Sequence, residues 1–228
     1  MIPLRDVNPT RTTPFVTVAL IAANVAVFLF QLTLPARAEQ QFVMQFAMIP
    51  NRLGIELGNP AAPLLGIMPI LTSMFLHGGF MHILGNMWFL WIFGDNIEDR
   101  LGHFRYLLFY VLCGIGAAFT HFLTDPRSMI PVVGASGAIS GVLGAYFVLF
   151  PGRKVVTLIP LFIVFFTVQL PAVVILGYWF AIQFISGFAT LRGPQGPGVA
   201  FWAHIGGFIV GLVLVRAFEP RQRVLRPY

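Results

Sequence analysis

Ser136, in Gly134-Ala135-Ser136-Gly137, and His204, in Ala203-His204-Ile205-Gly206-Gly207, each sit a few residues inside a separate long apolar segment. A serine hydroxyl is a weak nucleophile until a base takes its proton, and imidazole suits that task near neutral pH. The pair points to acyl transfer, provided the two segments bring oxygen and ring nitrogen within about 3 Å. A third motif adds donors. In His77-Gly78-Gly79-Phe80-Met81-His82-Ile83-Leu84-Gly85-Asn86, His82 and Asn86 are four residues apart and share a helix face. Acyl transfer builds negative charge on a carbonyl oxygen, where one preplaced donor contributes about 3 to 4 kcal/mol. His82, Asn86 and the Ser136 backbone N–H, near a helix N-terminus, are the candidate donors. A lone histidine in an apolar helix more often makes an ordinary interhelical hydrogen bond. His82 is judged differently because it accompanies Asn86, a serine and a second histidine.

These residues need helices to hold them. The chain has 228 residues, 57% hydrophobic and 10% charged, with a mean hydropathy of +0.84, far from a soluble domain's composition. About 20 apolar residues cross a bilayer core as helix. Six stretches qualify, 14–34, 79–97, 101–123, 131–150, 171–191 and 199–218, so the expectation is an all-α membrane protein, one domain over 1–228 with six transmembrane helices. The first stretch is too long for a secretory signal and is read as retained. With the N-terminus inside, Arg5, Arg11, Arg100, Arg105, Arg153, Lys154, Arg216, Arg221, Arg223 and Arg226 are cytoplasmic, leaving Arg37, Arg52, Arg127 and Arg192 outside. Both termini are then cytoplasmic. The net charge of +6 fits anionic inner-leaflet lipid, and its spread over short loops argues against nucleic acid.

In that orientation the second, fourth and sixth spans run inward from the outer face. Ser136 and His204 each fall about five residues into their spans, roughly 7 Å deep. Gly134, Gly137, Gly141 and Gly144 on one helix, with Ala203, Gly207 and Gly211 on the other, allow the close backbone approach that a hydroxyl–imidazole contact needs. Such small-residue stripes are usually packing motifs alone; here an ionisable histidine on the same face requires a partner.

Taken together, His77-x4-His82-x3-Asn86, Gly134-Ala135-Ser136-Gly137 and Ala203-His204-x-Gly206-Gly207, on the second, fourth and sixth spans, resemble the rhomboid family of intramembrane serine proteases. The likeness runs from about Pro14 to Phe218. It implies a Ser136–His204 dyad without a catalytic aspartate, an oxyanion hole including His82 and Asn86, no cofactor or metal, and cleavage of other proteins' transmembrane segments near their outer ends. The implied setting is a multi-pass protein of the cell's inner (plasma) membrane, its site opening outward. Glu98 matches a structural family glutamate and is expected to pair with a nearby arginine. Two positions depart from the pattern. Many members carry an aromatic residue that stacks on the histidine where this chain has Ser140, which leaves open what holds the His204 ring: the Ser140 hydroxyl, directly or through water, is one candidate, and Trp202 lies two residues from His204 on a different helix face. The loop 35–76 lacks the Trp-Arg pair of many relatives.

The aromatic run Tyr178-Trp179-Phe180, with Phe184, suggests a substrate gate on the fifth span, with Trp179 and Phe180 as its candidate residues and Phe80, Trp88 or Phe89 opposite. Val155–Leu170, broken by Pro160, is expected to be a re-entrant or interfacial loop, and 192–198, rich in glycine and proline, a loop capping the cavity. Other chemistries lack their residues. His-Glu-x-x-His does not occur, Asp95 and Asp125 fall at opposite faces, and the single Cys113 has no disulfide partner. A transporter pathway would cross the membrane, whereas the four polar residues cluster in its outer third. The alternative from another class is a catalytically inactive, client-binding relative, which loss of Ser136, His204 or the donors would signal.

Overall fold

The computed structural model describes residues 1–59, 66–161, 164–191 and 198–220. A short strand, β1 (Ile2–Asp6), precedes α1 (Phe15–Thr33). Three short helices follow, α2 (Ala36–Phe46), α3 (Pro50–Leu57) and α4 (Ile67–Ser73), then the long α5 (Phe80–Leu101) and α6 (His103–Thr124). After α7 (Ser136–Leu149) the chain makes two strands, β2 (Lys154–Leu161) and β3 (Val164–Pro171), and ends with α8 (Ala172–Thr190) and α9 (Phe201–Phe218). Among the described residues α1, α6, α8 and α9 are long and apolar enough to cross a membrane. α5 matches their length but gathers Asp95, Glu98, Asp99 and Arg100 in its last two turns, and α7 has only 14 residues.

α7 begins later than composition suggests. The apolar stretch starts at Pro131, but Gly134 has φ +116°, a left-handed value that interrupts a helix, and its N–H donates to the Ser73 carbonyl at 2.9 Å. Ser136 is therefore the first residue of α7, not the fifth, while His204 is the fourth of α9.

The fold is not all-α as expected: the described residues of Val155–Leu170, read from sequence as a re-entrant or interfacial loop, are β-strand. β2 and β3 pair antiparallel from Lys154↔Pro171 to Leu161↔Val164, and β1 adds to β2 antiparallel, giving the order β1-β2-β3. Val155, Val156, Val164 and Val168 favour extended backbone, and a hairpin satisfies its own peptide groups in a segment too short to span as helix. The edge strand is tied to the bundle where the Trp88 indole N–H donates to the Pro3 carbonyl at 2.7 Å.

Two features set the helices' relative positions. Glu98, fully buried near the end of α5, accepts from the N–H groups of Val16 and Thr17 at 2.8 Å each, the Thr17 hydroxyl at 2.7 Å and His103 Nδ1 at 2.6 Å. α1 has no acidic residue or side-chain cap in its own first turn, so a carboxylate from α5 satisfies donors that its helix leaves unpaired. Glu98 thus binds backbone and histidine, not the arginine expected for it; Arg100 pairs instead with Glu219 at 2.6 Å. The second feature is the α7–α9 crossing, the largest interhelical interface. A Cβ on Gly207 or Gly211 would collide with the carbonyls of Gly137 and Gly141, so these backbones touch. Among the described residues a buried apolar cluster runs from Leu20 in α1 to Val215 in α9, with Phe93, Tyr106, Phe109, Tyr110 and Tyr146 among its largest fully buried side chains.

Residues 35–59 and 66–76 form a cover of short helices. Arg52 donates to the carbonyls of Met44 and Ala47 at 2.8 and 2.6 Å, and the Thr72 hydroxyl to Phe46 at 2.6 Å. Met48 bridges Val132, through a 2.8 Å bond from the Val132 N–H, which ties this cover to the segment leading into α7.

Candidate active site

α5, α7 and α9 present their N-terminal ends side by side. His82 and Asn86 lie in the first two turns of α5, Ser136 opens α7, and His204 lies in the first turn of α9. The glycine crossing brings Ser136 Oγ to 2.8 Å from His204 Nε2, hydrogen-bonding distance. Both side chains are partly buried.

The ring's other nitrogen identifies the proton's place. His204 Nδ1 lies 2.8 Å from Gln183 Oε1 on α8, and an amide oxygen can only accept. The tautomer that fits both contacts has its hydrogen on Nδ1 and a lone pair on Nε2 to accept from the Ser136 hydroxyl. Ser140 does not take part. Its hydroxyl donates to the Ser136 carbonyl at 2.6 Å, a bond within α7. Trp179 supplies the ring's apolar contact, its centroid 5.9 Å from that of His204 with the planes inclined by 32°.

The expected oxyanion donors lie beside the segment leading to Ser136. A Cβ on Gly134 would come 2.7 Å from His82 Nε2 and 3.3 Å from Asn86 Nδ2, so this backbone runs against both side chains. Asn86 Nδ2 is also 2.9 Å from His77 Nε2, donating one amide hydrogen and keeping the other available. Burial holds His77 down at about 4, so its ring is the neutral acceptor this bond requires. Gln31, at the end of α1, fixes His77 through its main chain, accepting from the His77 N–H at 3.1 Å and donating to its carbonyl at 3.2 Å. As first residue of α7, Ser136 has its N–H ahead of the helical hydrogen-bond ladder.

Sequence reasoning did not single out Gln183, Gln31 or Ser73. The signal for Gln183 was a lone glutamine in an apolar helix, four residues after Trp179 and so on its face. Trp179 and Phe180 meet α9, with Phe208 at centroid distances of 6.2 and 4.6 Å, a contact that the expected wall against α5 did not include. Phe80 and Trp88 of α5, like Tyr178 and Phe184, remain exposed. The capping segment 192–198 lies outside the described residues except for Gly198. Among the described residues no three His, Cys, Asp or Glu side chains converge as metal ligands would.

Fold and site define a multi-pass helical membrane protein with a serine and a histidine joined near the ends of its central helices. A family model described as the rhomboid domain matches residues 66–220, and the chain belongs to the rhomboid family. RHOMBOID-like protein 5 of Arabidopsis thaliana is 30% identical over 160 residues, 69% of this chain and 47% of that protein. YdcA of Bacillus subtilis (strain 168), named provisionally as a rhomboid protease, is 30% identical over 158 residues, 67% of this chain and 69% of its own. RHOMBOID-like protein 1 of Arabidopsis thaliana is 26% identical over 230 residues, 92% of this chain and 54% of that relative. The chain thus spans about half the length of the Arabidopsis proteins.

Proposed function

We propose that this chain is an intramembrane serine protease hydrolysing a peptide bond in or near the outer end of other proteins' transmembrane segments. The 2.8 Å contact between Ser136 Oγ and His204 Nε2 carries the reading. It also favours catalysis over a client-holding role, which has no need of a hydroxyl hydrogen-bonded to an imidazole lone pair. In this mechanism Nε2 takes the hydroxyl proton as Oγ attacks the scissile carbonyl. The oxyanion meets His82, the free hydrogen of Asn86 and the Ser136 N–H. The imidazolium then gives its proton to the leaving amine, and water hydrolyses the acyl-enzyme by the same route. No cofactor enters.

The bundle is read as six spans, with α5 and α7 inside it and both termini cytoplasmic. Arg100, Arg153, Lys154 and Arg216 gather at the end away from the dyad, which the positive-inside rule makes the inner end of a plasma-membrane protein. Substrate enters from lipid when α8 separates from α9, with Trp179 and Phe180 as the gate residues on that seam. Gel-based cleavage of a model transmembrane substrate tests the reading. The purified protein should cut, whereas Ser136→Ala and His204→Ala should each abolish cutting, with no further loss in the double variant, because the two act as a unit. Substantial cleavage by Ser136→Ala refutes it.

A further inference from the structure

The buried amide on α8 has a role beyond filling space. Gln183 is 8% exposed in a helix whose other buried residues are Ala172, Ile175, Leu176 and Gly187. A buried amide in an apolar helix is costly unless its partners are met, and His204 Nδ1, at 2.8 Å, is such a partner. A neutral imidazole has two tautomers, and only the one protonated at Nδ1 offers Nε2 as a base. Nothing on α9 itself makes that choice. Ser140 is turned to the Ser136 carbonyl, and the ionisable groups facing His204 are His82 of α5 and His121 of α6.

We propose that Gln183 is the positioning residue for His204: its side-chain oxygen accepts the Nδ1 hydrogen and so directs Nε2 at Ser136. This rests on the protease reading for its catalytic consequence. When the Ser136 proton moves to Nε2, the Nδ1–H bond to Gln183 persists and the new Nε2–H becomes the acid for the leaving group. Trp179, one turn earlier on α8, packs against the ring at a centroid distance of 5.9 Å, so one helix contacts the imidazole through both residues. The same helix lines the lateral entry. Separating α8 from α9 removes the oxygen from Nδ1, so the base is oriented only while α8 is docked, and cleavage waits for reclosure around the substrate.

The test uses the full chain in lipid bilayers. With ¹⁵N-labelled histidine, wild-type His204 should show a protonated Nδ1 and a bare Nε2, and Gln183→Leu should shift it to a mixture or to the opposite tautomer. On a cleaved substrate Gln183→Leu should lower kcat about 10-fold or more with KM little changed. Gln183→Glu keeps an acceptor at that place and adds a charge that favours imidazolium. It should recover much of kcat and move the acid limb of the pH profile upward by about one unit. Wild-type His204 protonated at Nε2, a tautomer insensitive to Gln183→Leu, or equal losses in the Leu and Glu variants that track their melting temperatures would each overturn the proposal. The tautomer is read without turnover. A wild-type protein that fails to cleave yet holds Nδ1–H through Gln183 would defeat the protease reading and uphold this one.

Discussion

Gly134 lies against His82 so closely that a methyl group on its Cα would sit 2.7 Å from the imidazole Nε2, well inside contact distance. The residue also has φ +116°, which L side chains avoid. Both constraints act two residues before the nucleophile, where its backbone meets the α5 donors. Gly134→Ala should therefore lower kcat by at least 10²-fold, the order expected for a displaced oxyanion donor, while the protein remains folded in detergent. Wild-type kcat in that variant would mean that His82 and Asn86 move aside without consequence.

Gln31, His77 and Asn86 form a relay of position from the end of α1 to the donors. Asn86→Ala removes the donor itself and should lower kcat by about 10²-fold or less with KM little changed. Gln31→Ala frees the His77 main chain and should give a smaller loss of the same kind. A fall in melting temperature with unchanged kcat in both variants would reassign the relay to stability.

Where sequence was legible, helical periodicity was the reason. The ends of α1, α6, α8 and α9 fall within a few residues of the apolar stretches, because composition changes sharply at a bilayer's edges. The contact of Ser136 with His204 was legible because glycine stripes on two helices imply close approach at matched depth. Ser136 as the first residue of its helix was not, since the backbone of Gly134 and its bond to Ser73 end the helix, and hydropathy records neither. The hairpin was missed because Val155–Leu170 is apolar but for Thr157, Thr167 and Gln169, and these are too few to set a period. Glu98 and Gln183 were misjudged or overlooked for a common reason. Their partners are a helix N-terminus and a ring nitrogen brought by folding, which local charge pairing does not anticipate.

Removing the Glu98 carboxylate should cost stability before it costs chemistry. Glu98→Ala strands the Val16 and Thr17 N–H groups, the latter buried, and leaves the Thr17 hydroxyl only its longer 3.3 Å bond to the Tyr106 hydroxyl. Unsatisfied buried donors cost about 1 to 3 kcal/mol each, so a loss of about 3 kcal/mol or more is expected. Thermal melting in detergent should show it, and below the lowered Tm the variant should still cleave. An unchanged Tm would mean that α1 finds another cap.

Asp6 makes the attachment of β1 sensitive to pH. It accepts from the Tyr146 hydroxyl at 2.8 Å and Asn96 Nδ2 at 2.9 Å, and burial, with Asp95 nearby, raises its carboxyl to about 6. The folded protein holds this proton more tightly than the unfolded chain does, so the contribution is full below about pH 4 and is lost as pH rises through about 6. Protection factors for β1 amides should fall between pH 5 and 7, and Asp6→Asn should flatten the response. Protection that rises over that window would contradict the sign.

The α8–α9 seam separates entry from chemistry at two neighbouring residues. Phe180 packs on Phe208 at 4.6 Å and on Phe184 at 6.3 Å, whereas Trp179 touches both Phe208 and His204. Phe180→Ala weakens the seam by an estimated 3 kcal/mol if its ring is fully lost from packing. Cleavage of transmembrane substrates should rise while Tm falls, and a short soluble peptide that enters from water, gaining nothing from easier entry, should be cut at or somewhat below the wild-type rate, because the weakened seam also undocks Gln183 from His204. Trp179→Ala opens the same seam but removes the face on which the imidazole rests, so kcat for the soluble peptide should fall and any gain in transmembrane cleavage should be smaller than for Phe180→Ala. Parallel losses on both substrates in both variants would show that α8 is a fixed wall, with substrate reaching Ser136 by another path.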